Sequence, residues 1–93
     1  MIEVYGMKYD HRQMGQLIRK MRREKGLSQE VLSGLANIGR SHLAMIEAGK
    51  RAPQVEILWR IAAALNISMS ALFARYEAEC QECKDSAHER AEK

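Results

Sequence analysis

The residues best suited to chemistry lie in one short stretch, GRSHLAMIEAGKR, at positions 39–51. Leu43 and Ile46 are three residues apart, so on a helix both would face a core. The opposite face would then present four other side chains, Arg40, Ser41, His42 and Met45. Arginine offers paired N–H donors, a serine hydroxyl donates or accepts, and methionine makes apolar contacts. The spacing predicts a helix with one core face and one face able to bind a ligand.

The same stretch contains the residue types of a hydrolytic triad, in Ser41, His42 and Glu47. However, adjacent residues on a helix point about 100° apart, so Ser41 and His42 cannot share a proton in that way. The sequence also has no Gly-rich phosphate loop, no His-Glu-x-x-His pair and no nucleophile elbow. We therefore predict that the protein is not an enzyme.

The two cysteines, Cys80 and Cys83, form a C-x-x-C pair near the C-terminus. A structural zinc site usually needs four ligands, and His88 as a third ligand would leave the site open. A thioredoxin-like redox pair is expected in a βαβ setting, which is absent here. We predict reduced thiols with no metal and no cofactor. A metal-responsive or redox-responsive regulator is the alternative.

Length, composition and charge limit the kind of domain that positions these residues. Ninety-three residues suit one small domain, and abundant Ala, Leu, Met, Glu, Lys and Arg favour helix over strand. The longest apolar run, IAAALNI, is too short to span a membrane, and no cleavable leader is recognisable, so we expect a protein of the cytoplasm. Residues 1–53 hold ten Lys or Arg against five Asp or Glu, whereas residues 54–93 hold five against seven. A polyanion would therefore bind the first part.

Apolar spacing predicts five helices after an ambiguous N-terminal segment, residues 1–10. Their ends are marked by typical boundary residues: His11 and Gly26 for the first helix, Ser28 for the second, Gly39 and Gly49 for the third, Pro53 for the fourth and Ser68 for the fifth. The predicted core positions of the second and fourth helices are Val31, Leu32, Leu35, Val55, Leu58, Ile61, Ala62 and Leu65. Asn37 tolerates positive φ, which suits a tight turn between the second and third helices. The predicted fold is an all-α, five-helix domain.

Residues 14–72 resemble the Cro/C1-type, or XRE-type, helix-turn-helix domain of phage repressors and bacterial regulators. The resemblance rests on segments in the family order, namely MG, IR and MR in the first helix, then GLSQE, IEAGKR, Pro53 and IAAALNI. The family more often has alanine where Ser33 stands and glycine where Asn37 stands, and both departures are mild. The resemblance implies a lambda-repressor-like domain at residues 11–76, an N-terminal arm at 1–10 and a charged C-terminal extension at 77–93.

The resemblance also implies roles for individual residues, because the third helix of this family lies in the major groove of DNA. Base edges would be contacted by Arg40, Ser41, His42 and Met45, with Arg40 on guanine O6 and N7. The alternative for Arg40 is a phosphate contact only. The implied phosphate contacts are Ser28, Gln29, Lys50 and Arg51. Arg22 and Glu47 are implied to form a structural ion pair between the first and third helices.

A dimer interface is suggested by apolar residues that continue at heptad spacing from the fifth helix, Met69, Phe73, Tyr76, Cys80, Cys83 and Ala87. Together with Trp59, the candidate interface residues are Phe73, Tyr76, Cys80 and Cys83. We expect a sequence-specific regulator that binds double-stranded DNA as a homodimer on a palindromic operator and represses transcription. The alternatives are an antitoxin that binds a toxin, a restriction-modification controller, or a helical protein-interaction module without DNA binding.

Overall fold

Five α-helices make up most of residues 8–79, the part of the chain that this computed structural model describes. They are α1 (His11–Glu24), α2 (Gln29–Ala36), α3 (Arg40–Glu47), α4 (Val55–Ala64) and α5 (Met69–Glu79). Residues 8–79 contain no strand, and the predicted all-α, five-helix fold is confirmed. Within them no single helix is long and apolar enough to cross a membrane; α4 and α5 pass that test only as a pair bent by 94°. Cys80, Cys83, Ala87 and His88 lie outside the described residues.

Serine side chains begin two of the helices as predicted. The Ser28 hydroxyl accepts a hydrogen bond from the Val31 amide at 3.1 Å, and the Ser68 hydroxyl accepts one from the Ala71 amide at 3.1 Å. Each bond satisfies one of the amides that a helix N-terminus leaves without an intrahelical partner. Caps of this kind stabilise a helix by about 1 kcal/mol. The starts of α2 and α5 are therefore fixed by local chemistry that the sequence displays.

Residues in the left-handed backbone conformation follow several helices and reverse the direction of the chain. Asn37 has φ 57° after α2, as predicted, and Gly49 has φ 79° after α3. Asn66 has φ 63° between α4 and α5, a turn that the sequence analysis did not anticipate. Asparagine is one of the few non-glycine residues found in this conformation. The turns at Asn37 and Asn66 bring α2 against α3 and α4 against α5.

The core is formed by apolar side chains from all five helices. The fully buried ones are Met14, Ile18, Leu32, Leu43, Ile46, Ile61, Leu65 and Leu72. Burying each of these side chains contributes about 1.5–3 kcal/mol. Because α3 supplies Leu43 and Ile46 to this cluster, its position in the fold is set by packing.

Three residues predicted to face the core are instead exposed, and those predictions were wrong. Val31, Leu35 and Val55 are 48%, 61% and 71% exposed. The buried side of α2 is narrower than predicted, because Leu32 shares it with the small residues Ser33 and Ala36. Val55 is the first residue of α4, one turn before the exposed Trp59, and the two lie on the same outer face.

Exposed ion pairs join α5 to α1. The Lys20 ammonium lies 2.6 Å from Glu79 Oε1, and Arg75 Nη2 lies 2.8 Å from Glu24 Oε2. Arg75 also pairs with Glu79 one turn along α5. The hydrogen bonds from Lys20 and Arg75 lower the pKa of Glu79 below its usual value.

An aromatic cluster at the N-terminal end of α1 uses two of the residues predicted for a dimer interface. The Tyr9 ring lies 6.0 Å from Phe73 and 5.4 Å from Tyr76, centroid to centroid. The Tyr76 hydroxyl accepts a hydrogen bond from the Asp10 amide at 2.7 Å. Tyr76 is only 4% exposed because it packs within its own chain, so it has almost no surface left for a partner. Burial raises the pKa of Tyr9 above its usual value.

Candidate nucleic-acid interface

A tight turn sets the angle between α2 and α3. Asn37 supplies the left-handed conformation, and its amide and that of Ile38 bond back to the Gly34 and Ser33 carbonyls at 3.2 and 3.0 Å. Ser33 and Ala36, both small and buried, line the side of α2 that packs into the fold. The Ser33 hydroxyl is not left unsatisfied, because it donates to the Glu30 carbonyl at 3.0 Å. Two helices joined by so short a turn can cross steeply, as a helix-turn-helix requires.

The helix α3 divides its side chains between the core and the surface. Leu43 and Ile46 are fully buried. The positions predicted to contact bases, Arg40, Ser41, His42 and Met45, lie on the other side; His42 is half-buried and the other three are exposed. The N-cap residue of α3 is Gly39, which has no side chain to accept a hydrogen bond, so no side-chain cap covers the first amides of this helix. A row of chemically different side chains therefore stands on an outward face beside uncapped amides.

A buried charge network holds the C-terminal end of α3. Arg22 Nε and Nη2 donate to the two Glu47 carboxylate oxygens at 2.7 and 2.9 Å, which is the pair that the resemblance implies. Arg22 is 7% exposed and Glu47 is 3% exposed. Arg22 Nη1 also donates to the Leu27 carbonyl at 2.8 Å. The hydrogen bonds that Arg22 donates to Glu47 raise the pKa of Arg22 above its usual value. A buried pair of this geometry specifies an arrangement more than it adds net stability.

Gln29 joins this network and so supports α3, as the family resemblance implies, although its partner Glu47 was not predicted. Its Nε2 donates to Glu47 Oε1 at 3.0 Å. A glutamine amide carries two N–H donors, so one of them remains for another acceptor. Gln29 is the first residue of α2, and therefore the network connects α1, α2 and α3 through one carboxylate.

The helix α1 lies close against the C-terminal half of α3. A Cβ added to Gly15 would collide with the Ile46 carbonyl oxygen, so only glycine allows this approach. His11 Nε2 lies 3.2 Å from the Gly49 carbonyl oxygen, just beyond the end of α3. From the sequence, Gly15 was recognisable only as part of the family resemblance and His11 only as a helix start. A glycine in the middle of an amphipathic helix was the available signal for a close helix contact.

Basic side chains without a partner surround the exposed face of α3. Within residues 8–79, no hydrogen bond or ion pair involves the side chains of Arg40, Lys50 or Arg51, and all three are exposed. Two exposed cations of α1 are instead neutralised locally, since Arg12 pairs with Asp10 and Lys20 with Glu79. Positive charge that is not neutralised locally attracts a polyanion.

No metal site accompanies this surface in the part of the chain that the structure describes. No group of three or more His, Cys, Asp or Glu side chains there could hold a metal ion. The C-x-x-C pair and His88, the residues weighed for a metal site, lie beyond residue 79. Of the predicted dimer residues, Trp59 is 62% exposed, Phe73 is half-buried, and Cys80 and Cys83 are not described.

Comparison with known proteins identifies the protein family that has this arrangement. A helix-turn-helix family model matches residues 18–72. The HTH-type transcriptional regulator YqaF of Bacillus subtilis (strain 168) is 35% identical over 78 residues, which cover 84% of this chain and 99% of that protein. The immunity repressor of Bacillus phage phi105 is 41% identical over 59 residues, which cover 63% of this chain and 41% of the repressor.

Solved structures of restriction-modification controller proteins share the fold. C.AhdI from Aeromonas hydrophila has a TM-score of 0.66 and 38% identity, covering 69% of this chain and 97% of that one. The C.Esp1396I tetramer in complex with its natural 35 base-pair operator has a TM-score of 0.72 and 28% identity, covering 77% and 95%. Family membership also confirms the prediction that the protein is not an enzyme. The chain belongs to the Cro/C1-type helix-turn-helix family and is a DNA-binding transcriptional regulator.

Proposed function

We propose that this regulator recognises a specific double-stranded operator as a homodimer and represses transcription by occupying a promoter. The observation that carries the proposal is the exposed face of α3, where Arg40, Ser41 and Met45 stand free of the core. Lys50 and Arg51 follow within one turn of the helix end, and neither side chain has a hydrogen-bond or ion-pair partner within residues 8–79. This pattern combines groups for base edges with groups for the phosphate backbone.

The proposed base contacts follow from side-chain chemistry. Arg40 places two parallel donors on O6 and N7 of a guanine, a contact that discriminates against other bases by about 1–3 kcal/mol. Ser41 and His42 donate to or accept from neighbouring base edges, and Met45 touches a thymine methyl group. Arg40 contributes most to specificity because it alone offers a bidentate contact.

The proposed phosphate contacts lie on either side of this face. The second N–H of the Gln29 amide donates to a phosphate while the first stays on Glu47. The Ser28 hydroxyl, which accepts from the Val31 amide, keeps its proton for the same phosphate. The N-terminus of α2 adds its partial positive charge there. Lys50 and Arg51 bind phosphates beyond the other end of α3.

The proposed dimer uses the outer face of α4 rather than the aromatic cluster. Trp59 and Val55 are one helical turn apart and are 62% and 71% exposed. Large exposed apolar side chains grouped in this way are typical of protein interfaces. The structural relative C.Esp1396I assembles as a tetramer on its operator, which supports self-association in this fold. Two α3 helices related by a two-fold axis would enter major grooves about 34 Å apart.

Similarity to controller proteins favours a second role, control of a restriction-modification operon. The chain covers 97% of C.AhdI at 38% identity and 89% of the control protein C.MunI of a Mycoplasma species at 38% identity. By contrast it covers 41% of the phage immunity repressor. The chain thus matches the controllers in overall size, as it also matches YqaF, of which it covers 99%. A neighbouring gene for a restriction endonuclease or methyltransferase would distinguish this role from phage-type repression.

Selection of bound sequences from random DNA tests the proposal. We expect enrichment of two inverted half-sites whose centres are one helical turn, about 10 base pairs, apart or a multiple of it. A single half-site without symmetry would contradict the homodimer. No enrichment, with tight but uniform binding to all sequences, would contradict specific recognition.

A further inference from the structure

His11 contacts the turn that precedes the proposed phosphate-binding residues. Its ring nitrogen Nε2 lies 3.2 Å from the Gly49 carbonyl oxygen, although the two residues are 38 positions apart. A carbonyl oxygen only accepts, so Nε2 must carry the proton and donate it. His11 lies outside residues 18–72, the part of the chain that the family model matches. The bond therefore joins a residue outside the matched segment to one inside it.

The bond fixes the peptide group that leads into Lys50. The Gly49 carbonyl and the Lys50 amide belong to the same planar peptide unit. Its N–H donates to the Met45 carbonyl at 2.9 Å, and its C=O accepts from His11. With both ends held, rotation of the plane is restrained, and this restraint limits the directions in which the Lys50 side chain can leave the backbone. Without the histidine bond only the N–H end would be held.

Around this bond, the turn at Gly49 packs tightly against α1, and the start of α1 is itself held in place. Gly49 has φ 79°, and a Cβ added to it would lie 2.9 Å from Arg12 Cγ. The start of α1 is itself tied down, because the Asp10 side chain caps it and the Asp10 amide donates to the Tyr76 hydroxyl at 2.7 Å. His11 is thus attached to the core at its backbone and to the α3–α4 turn at its ring.

We infer that His11 is a positioning residue for DNA binding, which holds the Gly49–Lys50 peptide so that Lys50 meets a backbone phosphate. The inference rests on the proposed phosphate contact of Lys50. His11 touches the turn and not the DNA, so its effect passes through Lys50. It follows that His11 supports binding to specific and nonspecific DNA alike.

The test measures DNA affinity as a function of salt concentration, both on the selected operator and on random duplex DNA. It compares the wild type with four variants: His11→Leu, His11→Gln, Lys50→Ala and the double variant of His11→Leu with Lys50→Ala. In His11→Leu the ring donor is absent, whereas in His11→Gln an amide N–H of similar reach replaces it; both lack any imidazole charge. The slope of log affinity against log salt falls by about 0.9 for each phosphate that the protein no longer neutralises. We expect His11→Leu to bind both duplexes about fivefold more weakly with a shallower slope, and His11→Gln to restore both. In a Lys50→Ala background, His11→Leu should leave the slope unchanged.

Three results would overturn the inference, given variants whose thermal unfolding shows that they are folded. These are an unchanged slope in His11→Leu, equal weakening in His11→Leu and His11→Gln, or an equal effect of His11→Leu with and without Lys50. The proposed phosphate contact fails separately: if Lys50→Ala alone keeps the wild-type slope, Lys50 makes no phosphate contact, whereas absence of sequence enrichment would refute the proposed function itself. A reduced slope in Lys50→Ala with a wild-type slope in His11→Leu rejects only the positioning role.

Discussion

The helix α1 holds its two neighbours with ion pairs of opposite character. Toward α3, the side chains of Arg22 and Glu47 are 9% and 2% exposed, and the guanidinium is bidentate. Toward α5, the side chains of Lys20 and Glu79 are 56% and 33% exposed and form a single hydrogen bond. A buried pair tolerates only one geometry, since either charge alone would be stranded away from water, whereas an exposed pair can separate at little cost. The more restrictive of the two ion pairs therefore fixes the position of α3, the helix proposed to contact DNA bases.

Glu47→Ala tests this contrast with the largest expected effect. The variant leaves Arg22 buried without its charge partner and removes the acceptor of Gln29. We expect the free energy of unfolding to fall by about 3–5 kcal/mol, as for other broken buried pairs. The matched variant Glu79→Ala should be destabilised by no more than about 1 kcal/mol. Urea denaturation of both measures the difference, and destabilisation of equal size would show that burial does not separate the two pairs.

Two glycines sharpen the contrast through packing. Gly15→Ala places a methyl group against the Ile46 carbonyl, which belongs to the rigid backbone of α3, and overpacking of this kind costs about 1–3 kcal/mol. Gly34 lies in α2 with nothing within 4 Å of an added Cβ, so Gly34→Ala should stabilise the protein by about 1 kcal/mol. Thermal unfolding should thus shift in opposite directions. A stabilising Gly15→Ala would mean that α1 and α3 are not in close contact.

Features governed by local rules were predictable from the sequence, and features that depend on distant partners were not. The Ser28 cap and the left-handed Asn37 follow from residue type and neighbours alone. Val31 and Leu35 were misplaced because the buried side of an eight-residue helix depends on which other helices cover it.

The candidate site divides in the same way. The exposed row on α3 followed from spacing together with the family resemblance. The bond from Gln29 to Glu47 and the bond from His11 to Gly49 join residues 18 and 38 positions apart, and no periodicity encodes such a pair. The dimer interface suggested by the heptad spacing through Cys80 and Cys83 stays a prediction, because these two residues lie beyond the described part of the chain.

The pH dependence of the ion pairs between α1 and α5 is expected to be small and to have a definite sign. Hydrogen bonds from Lys20 and Arg75 hold the pKa of Glu79 below its usual 4.5 in the folded state. Its contribution to stability is therefore fully present above that value and disappears as the pH falls below it. Glu79→Gln should be less stable than the wild type by at most about 1 kcal/mol near neutral pH, and the gap should close in acid. A gap that widens below pH 4.5 would contradict the depressed pKa.

The most direct test of the central claim compares Arg40→Ala with Lys50→Ala in binding to the selected operator, to single base-pair variants of it and to random DNA. If α3 contacts bases, Arg40→Ala loses preference at one base-pair position, by about 1–3 kcal/mol, and binds random DNA nearly as before. Lys50→Ala should instead weaken binding to every sequence alike. Equal weakening on operator and random DNA for Arg40→Ala would contradict the account, because Arg40 would then bind only the phosphate backbone.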